Sequence, residues 1–247
     1  MITAYFRPET LEEALKLLAQ PETRPMGGGT WLNQPHEENF AVVDLQALGL
    51  NQIHAVGNSL EIDACVSLEQ LLGTPDCPAA LAQAIRQEAS LNIRHAATVA
   101  GRLVTADGRS PFATLLLALD AKLTVAEAGS NSTVYSLTDY WTLRPQGLLT
   151  KIVIPLKVKT AYEQVARTPA DLPIVAAGLA QWPGGRTRLA LGGYGARPLL
   201  AMDGTEADGL ESAAKNAFHE AHDPWASAEY RVDVAATLAK RCLEAVA

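Results

Sequence analysis

The sequence predicts an α+β protein, in which a mixed region of helices and strands to about residue 158 is followed by strands and then helices. Three observations predict it. Strand-length apolar runs alternate with helical patterns through the first two-thirds of the chain. Past Lys157, two apolar runs at 174–182 and 186–193 flank Pro183-Gly184-Gly185, a hairpin signal. Two helical stretches, roughly 209–222 and 227–245, then close the chain. The expected division is one region over 1–158, with subdomains of about 1–55 and 56–158, and a small domain of antiparallel strands and helices over 159–247.

The elements follow in order. Thr10-Leu11-Glu12-Glu13 is a capping-box pattern, and Leu11, Ala14, Leu15 and Leu18 share one face of the helix it opens, which runs to about Ala19. Gln20-Pro21-Glu22-Thr23 breaks that helix. A glycine turn, Pro25-Met26-Gly27-Gly28-Gly29-Thr30, precedes a strand at 40–45. Residues 59–62, with Ala64 and Val66, alternate as a strand, and 67–72 forms a short helix. The stretch 79–90 is alanine-rich and helical, with Leu81, Ile85 and Ala89 on one face. A second glycine-containing turn, Thr98-Val99-Ala100-Gly101-Arg102, leads to a buried helix at 112–119 and strands at 122–126 and 150–155.

Composition excludes several classes. Apolar residues make up 48% of 247, enough for sizeable cores, and 20 basic against 27 acidic side chains give a net charge of -7. The basic residues are dispersed, so no nucleic-acid footprint or polybasic membrane patch is present. No apolar run reaches the length of a membrane span, and the N-terminus lacks a basic-then-apolar secretory pattern, so a soluble, cytoplasmic protein is expected. Cys65, Cys77 and Cys242 have no C-x-x-C spacing, so the chain holds no cluster or zinc by itself, and buried reduced thiols are expected.

The two glycine turns are the candidate site. Glycine admits positive φ and lets a ligand approach the main chain, and consecutive amides of such a turn can converge on one anion. Thr30 adds a hydroxyl. A tight turn that holds nothing is the alternative for either turn alone. Neither fits a Walker loop or G-x-G-x-x-G. Two such turns in one mixed region could grip the two phosphates of one dinucleotide.

Elsewhere, chemistry is sparse. His219 and His222 are not spaced as H-E-x-x-H and read as cations at a helix C-terminus. No G-x-S-x-G elbow occurs, and no residue is assigned catalysis. Tyr230 and Arg231 open the last helix and are expected to pack or pair structurally. Trp31 either walls off part of a ligand or is a core tryptophan.

These residues resemble the FAD-binding (medium) subunit of molybdenum hydroxylases, the family that includes xanthine dehydrogenase and aerobic carbon monoxide dehydrogenase. Gly27-Gly28-Gly29-Thr30-Trp31-Leu32 resembles the family's A-G-G-T-D-L loop. Ile93-Arg94-His95-Ala96-Ala97-Thr98-Val99-Ala100-Gly101-Arg102 is similar to I-R-N-x-A-T-I-G-G-N. Leu116-Leu117-Ala118-Leu119-Asp120-Ala121 matches L-L-A-L-D-A, and Gly192-Gly193-Tyr194-Gly195-Ala196-Arg197-Pro198 looks like G-G-x-G-x-x-P. Ser227-Ala228-Glu229-Tyr230-Arg231 is similar to the S-x-x-Y-R that opens the family's final helix.

The resemblance implies a two-subdomain FAD-binding domain of the molybdenum-hydroxylase/vanillyl-alcohol-oxidase type, with FAD held non-covalently. It implies cofactor contacts from Met26, Gly27, Gly28, Gly29, Thr30, Trp31, Thr98, Val99, Ala100, Gly101, Arg102 and Asp107, with Leu149 packed near the flavin. It implies partners: a [2Fe–2S] iron–sulfur subunit and a molybdopterin-binding large subunit, with electrons passed to an acceptor such as NAD. The protein's own contribution is to bind, orient and tune the flavin.

The chain also departs from the pattern. Pro111 stands where the family often has an acidic residue, with Asp107 and Ser110 close by. Glu163 or Gln164, depending on alignment, replaces a common lysine. Ala100 replaces a glycine, which is tolerable if the residue keeps negative φ. Arg102 replaces an asparagine and either adds charge at a phosphate or points into solvent. The departures motivate a second reading, a scaffold subunit that keeps the fold and has lost FAD. A third, a free-standing flavin oxidase, lacks a substrate domain and an acid–base pair.

Overall fold

The computed structural model describes residues 1–129 and 131–247. The chain begins with β1 (Ile2–Phe6), α1 (Leu11–Leu18), β2 (Thr23–Met26) and β3 (Phe40–Asp44). Then come β4 (Ile53–Val56), β5 (Ser59–Asp63), α2 (Leu68–Leu72), α3 (Ala79–Glu88), α4 (Leu91–Ala96), α5 (Val99–Val104) and α6 (Pro111–Ala118). They are followed by β6 (Lys122–Ala126), β7 (Ser132–Ser136), α7 (Leu137–Leu143) and β8 (Leu148–Pro155). The last third holds β9 (Lys159–Val165), β10 (Val175–Gln181), β11 (Thr187–Gly192), β12 (Leu199–Gly204), α8 (Leu210–Ala217) and α9 (Ala228–Val246). The fold is the mixed helix-and-strand one that the sequence predicts.

The residues group into two compact units. One comprises 1–74, 91–105 and 122–153; the other comprises 75–90, 106–121 and 154–247.

In the first unit, β1 and β2 pair in parallel with β3 between them. Parallel strands need crossover connections, and α1 supplies the one that carries the chain from β1 to β2 on the far side of β3. Thr10 caps α1 by accepting from the Glu13 amide at 3.2 Å. The capping box is nevertheless not reciprocal: the Glu13 carboxylate accepts from the Glu9 amide, at 3.4 Å, instead of the Thr10 amide. Ala14 is buried with Val43, Leu45 and Leu148. A five-stranded sheet of order β4-β5-β8-β6-β7 completes this unit.

The second unit is built on an antiparallel sheet of order β12-β11-β10-β9. The Pro183–Gly185 hairpin forms as expected, with Gln181 opposite Thr187 and Ala176 opposite Gly192. Sixteen buried apolar residues of this sheet, α8, α9 and the adjoining loops form its core, including Leu179, Leu191, Phe218, Leu238 and Cys242. α6 belongs here, and every one of its side chains is buried. Ser227 caps α9, and Arg231 in its first turn is fully buried, as expected of a structural residue. Arg231 donates to the carbonyls of Ile174, Ala221 and Ala226 at 3.2, 3.0 and 2.9 Å, and to Asp223 at 2.7 Å. His219 Nδ1 lies 2.7 Å from the Asn216 carbonyl at the end of α8. The three thiols are reduced, but Cys65 and Cys77 are half-buried and only Cys242 is fully so.

Among the described residues no helix is long and apolar enough to cross a membrane.

Candidate cofactor-binding site

The first turn leaves the end of β2. Met26 pairs with Asp44 of β3, and its carbonyl accepts from the Leu45 amide at 3.0 Å. Gly27, Gly28 and Gly29 follow; Gly29 has φ +69°, a conformation costly for other residues. The loop then folds back on itself: the Gly29 and Trp31 carbonyls accept from the amides of Asn33 and Gln34 at 2.9 and 3.2 Å. Leu32 anchors it, buried with Phe40 and Val42.

The second stretch corrects an expectation. Residues 98–102 are not a glycine turn but the capped start of α5. Thr98, in extended geometry, accepts from the Gly101 amide at 3.2 Å, and Val99–Arg102 are helical. A threonine one turn ahead of an apolar helical pattern is an N-cap signal, and it outranks the single glycine. Gly101 serves a different need: a Cβ there would lie 2.9 Å from the Thr98 hydroxyl. Ala100 is helical, so its replacement of glycine carries no strain. His95 sits in α4.

The two stretches touch. A Cβ on Gly28 would lie 1.5 Å from the Ala96 carbonyl oxygen, and one on Gly27 would lie 2.6 Å from the Thr98 hydroxyl. Only bare glycine backbone allows this approach. Together they wall a cavity of about 260 Å³. Gly27, Gly28, Gly29, Thr30 and Trp31 line it from one side, and Thr98, Ala100 and Gly101 from the other; Leu149 also lines it. A more polar cavity of about 420 Å³ shares Gly27, Gly28, Cys65 and Thr98 with the first, and adds Gln46, Ser67, Gln70 and His95.

The remaining singled-out residues stand outside these linings. Met26 packs with Leu32, Phe40 and Val42, and Val99 is buried. Arg102 lies half-buried on α5. Asp107 is exposed in the second compact unit, its carboxylate accepting from the Arg109 amide at 2.8 Å. Pro111 is the first residue of α6, and Glu163 and Gln164 lie in β9. Sequence reasoning missed Arg24, Leu45, Cys65, Tyr140, Gly147 and Leu148, all of which line the smaller cavity. None lies in a motif; Leu148 is visible only as the start of β8, two residues earlier than expected.

Chemically the site is a binding site. Among the described residues, the amides of Gly27, Gly28, Gly29, Thr30 and Trp31 donate to no protein acceptor. Successive unspent amides beside bare backbone suit phosphate oxygens, and the aliphatic wall of Leu45, Leu148 and Leu149 suits an apolar ring. These features fit a dinucleotide such as FAD. Arg24 is the charged side chain in the lining; it pairs with Glu38 and lies 4.3 Å over the Phe40 ring. Burial, with the charges of Asp44 and Asp63, pushes the Cys65 thiol up to about 11, so it is no nucleophile at neutral pH. Trp31 is 42% exposed, so it is not a core tryptophan.

Residues 1–157 match the family model of the FAD binding domain in molybdopterin dehydrogenase. The uncharacterized protein YgfM of Escherichia coli (strain K12) is 30% identical over 240 residues, which cover 94% of this chain and 91% of that one. The glyceraldehyde dehydrogenase medium chain of Sulfolobus acidocaldarius is 27% identical over 220 residues, 81% of this chain and 78% of that one. A crystal structure of a Cu,Mo-CO dehydrogenase in cyanide-inactivated form superposes with a TM-score of 0.81 at 25% identity, covering 100% of this chain and 98% of that one.

Proposed function

The chain belongs to the FAD-binding-domain family of molybdopterin dehydrogenases, and from that premise we propose that it works as the flavin subunit of a molybdenum-hydroxylase-type complex, passing electrons between partner [2Fe–2S] clusters and an external acceptor such as NAD. The observation that carries this reading is the meeting of Gly27–Gly28 with Ala96 and Thr98, which sets unspent amides on the wall of a cavity with an aliphatic side. FAD would be held non-covalently by Gly27, Gly28, Gly29, Thr30, Trp31, Thr98, Ala100 and Gly101, with Leu149 near the flavin. Met26 and Val99 would support these from behind, and Arg102 would be an outer contact. In this reading residues 1–158 hold the cofactor and 159–247 form the C-terminal domain.

When bound, FAD supplies the capacity to take up and release one or two electrons. The chain's own part is to bind and orient it, to exclude water with Leu45, Leu148 and Leu149, and to leave its charge balanced mainly by backbone amides. No acid–base pair lines either cavity among the described residues, so the chain alone is expected to be inactive on the substrate of the complex. The partners would be an iron–sulfur subunit and a molybdopterin-binding large subunit, in the cytoplasm.

The test is an absorption spectrum before and after adding excess FAD and desalting. Retained flavin bands that bleach with dithionite, and flavin released into the supernatant on acid precipitation, are expected. A protein that takes up no FAD alone or with its co-purified partners would overturn the reading. The scaffold alternative would then lead, since Gly27 and Gly28 are demanded by packing against Ala96 and Thr98 even without a ligand.

A further inference from the structure

The geometry points to a second binding site, for a small heteroaromatic anion, in an open cleft at one end of the β12-β11-β10-β9 sheet. The cleft lies within the second compact unit, and none of its residues lines either cavity described above. It therefore stands independently of the flavin reading.

The cleft has a volume of about 590 Å³ and lies between the turn that joins β8 to β9 and the β10–β11 hairpin. Lys157 and Lys159 line it from the turn, Gln181 and Trp182 from the hairpin, and Leu156 and Val158 supply aliphatic wall. The lining carries two ammonium groups and no carboxylate, in a chain whose net charge is -7. A local reversal of sign inside a concave surface draws in anions.

Three of the polar and aromatic groups are ordered before anything binds. Lys159 stands directly opposite Gln181 in the β9–β10 ladder, and Gln181 stands opposite Thr187 in the β10–β11 ladder. Directly paired side chains leave a sheet on the same face, so the three form one row. The Thr187 hydroxyl donates its only proton to the Gly185 carbonyl at 3.0 Å. It must then accept from Gln181 Nε2, 3.2 Å away, which turns Gln181 Oε1 away from Thr187. That oxygen accepts from no group among the described residues. The Lys159 ammonium donates to the Val246 carbonyl at 2.7 Å, which holds it in place and leaves two of its three N–H groups to give. The Trp182 indole is stacked by Arg186, 4.8 Å from the ring centroid, and Arg186 is itself tied to Asp203 at 2.9 Å and Asp120 at 3.2 Å. Groups fixed beforehand lose little entropy on binding.

Each anchor asks for one feature of the ligand. The indole and the aliphatic wall take a flat ring, Gln181 Oε1 takes an N–H on that ring, and the two ammonium groups take a negative charge beside it. A nucleoside monophosphate and an N–H heteroaryl carboxylate share this chemistry.

Calorimetric titration of the full chain, saturated with FAD to occupy the first cavity, tests the site with AMP, indole-2-carboxylate and inorganic phosphate. At least one ring-bearing anion is expected to bind, with phosphate alone at least tenfold weaker. Tighter AMP would identify a nucleotide as the source of the anion, and tighter indole-2-carboxylate a heteroaryl acid. Trp182→Ala and Lys157→Met should each weaken the better ligand about fivefold or more, while Trp182→Phe recovers most of the affinity and shows that the hairpin tolerates substitution. FAD retention should be the same in all three variants. Wild type that binds neither ring-bearing anion would overturn the inference, as would phosphate binding equally tightly or affinities unchanged in both Trp182→Ala and Lys157→Met. A chain that retains no FAD would overturn the flavin-subunit reading instead, since the variants still report on the cleft.

Discussion

Gly28 and Ala96, far apart in sequence, are so close that a Cβ on Gly28 would sit 1.5 Å from the Ala96 carbonyl oxygen. A backbone oxygen cannot rotate away as a side chain can, so the contact fixes both stretches relative to each other within their unit. Gly28→Ala is therefore expected to force the two apart, lowering stability by about 1–3 kcal/mol or more and abolishing FAD retention. Gly184→Ala, where nothing lies within 4 Å, is the matched control and should change the melting temperature little. Thermal denaturation with and without FAD checks both.

Thr98 has two jobs, capping α5 and filling the space between Gly27 and Gly101. Thr98→Ala is expected to cost about 1 kcal/mol from the lost cap and to weaken FAD binding. Thr98→Ser restores the acceptor for the Gly101 amide and should recover most of the stability. Denaturant titration of the three proteins is the measurement; equal stability would refute the capping role.

Arg231 is fully buried, and its partners are the carbonyls of Ile174, Gly193, Ala221 and Ala226 and the Asp223 carboxylate. Arg231→Met strands all of them, and a loss of about 3–5 kcal/mol is expected. For a chain of this size that corresponds to a fall in melting temperature of about 10 °C. Flavin content per folded molecule should not change, since the residue lies in the second unit.

Two carboxylates there predict the acid limb of stability. Hydrogen bonding from Arg186 holds Asp203 below the ordinary carboxylate range, against the opposing effect of burial. Burial pushes Asp223 up, but donation by Arg231 and by the Trp225 and Ala226 amides outweighs it, and the net direction is again down. Folded-state values below the unfolded ones mean stability that is complete above the unfolded carboxylate pKa and is lost as pH falls through the folded one. The melting temperature should hold from pH 7 to about 5 and drop below about pH 4. Asp203→Asn should be less stable at pH 7 and show a shallower acid decline; an unaltered decline would exclude Asp203 from it.

Cys65 and Cys77 are both pushed up to about 11 by burial, and only Cys65 lines the cavity. At pH 8 each should alkylate about a hundredfold more slowly than a free thiol. FAD is expected to protect Cys65 further and leave Cys77 unaffected, read by mass spectrometry of iodoacetamide-treated protein. Protection of Cys77 alone would put the ligand elsewhere.

Much of this was legible in the residues. The hairpin at Pro183–Gly185, the Ser227 cap and the α6 core run are local signals that tertiary packing did not override. β1, β4, β7, β9 and β12 were not read. β4 and β7 are largely exposed, β1 and β12 bury none of their residues fully, and so they carry no clean alternation. The residues of α5 read as a turn because Gly101 looks like a breaker, whereas its role is to make room for Thr98. Cys65, Tyr140 and Leu45 reach the cavity from separate elements by tertiary placement alone, which no spacing in the sequence encodes.

The interleaving of the two units bears on how this protein can be taken apart. The stretch that matches the family model stops at residue 157, yet it includes α3 and α6, which group with 154–247. A gene fragment cut at that boundary would release a polypeptide whose most apolar helix, Pro111–Ala118, had lost its covering. Such a fragment should enter inclusion bodies or associate through that helix, so recombinant work on cofactor uptake needs residues 158–247 together with 1–157, and a split at residue 157 would be poorly tolerated.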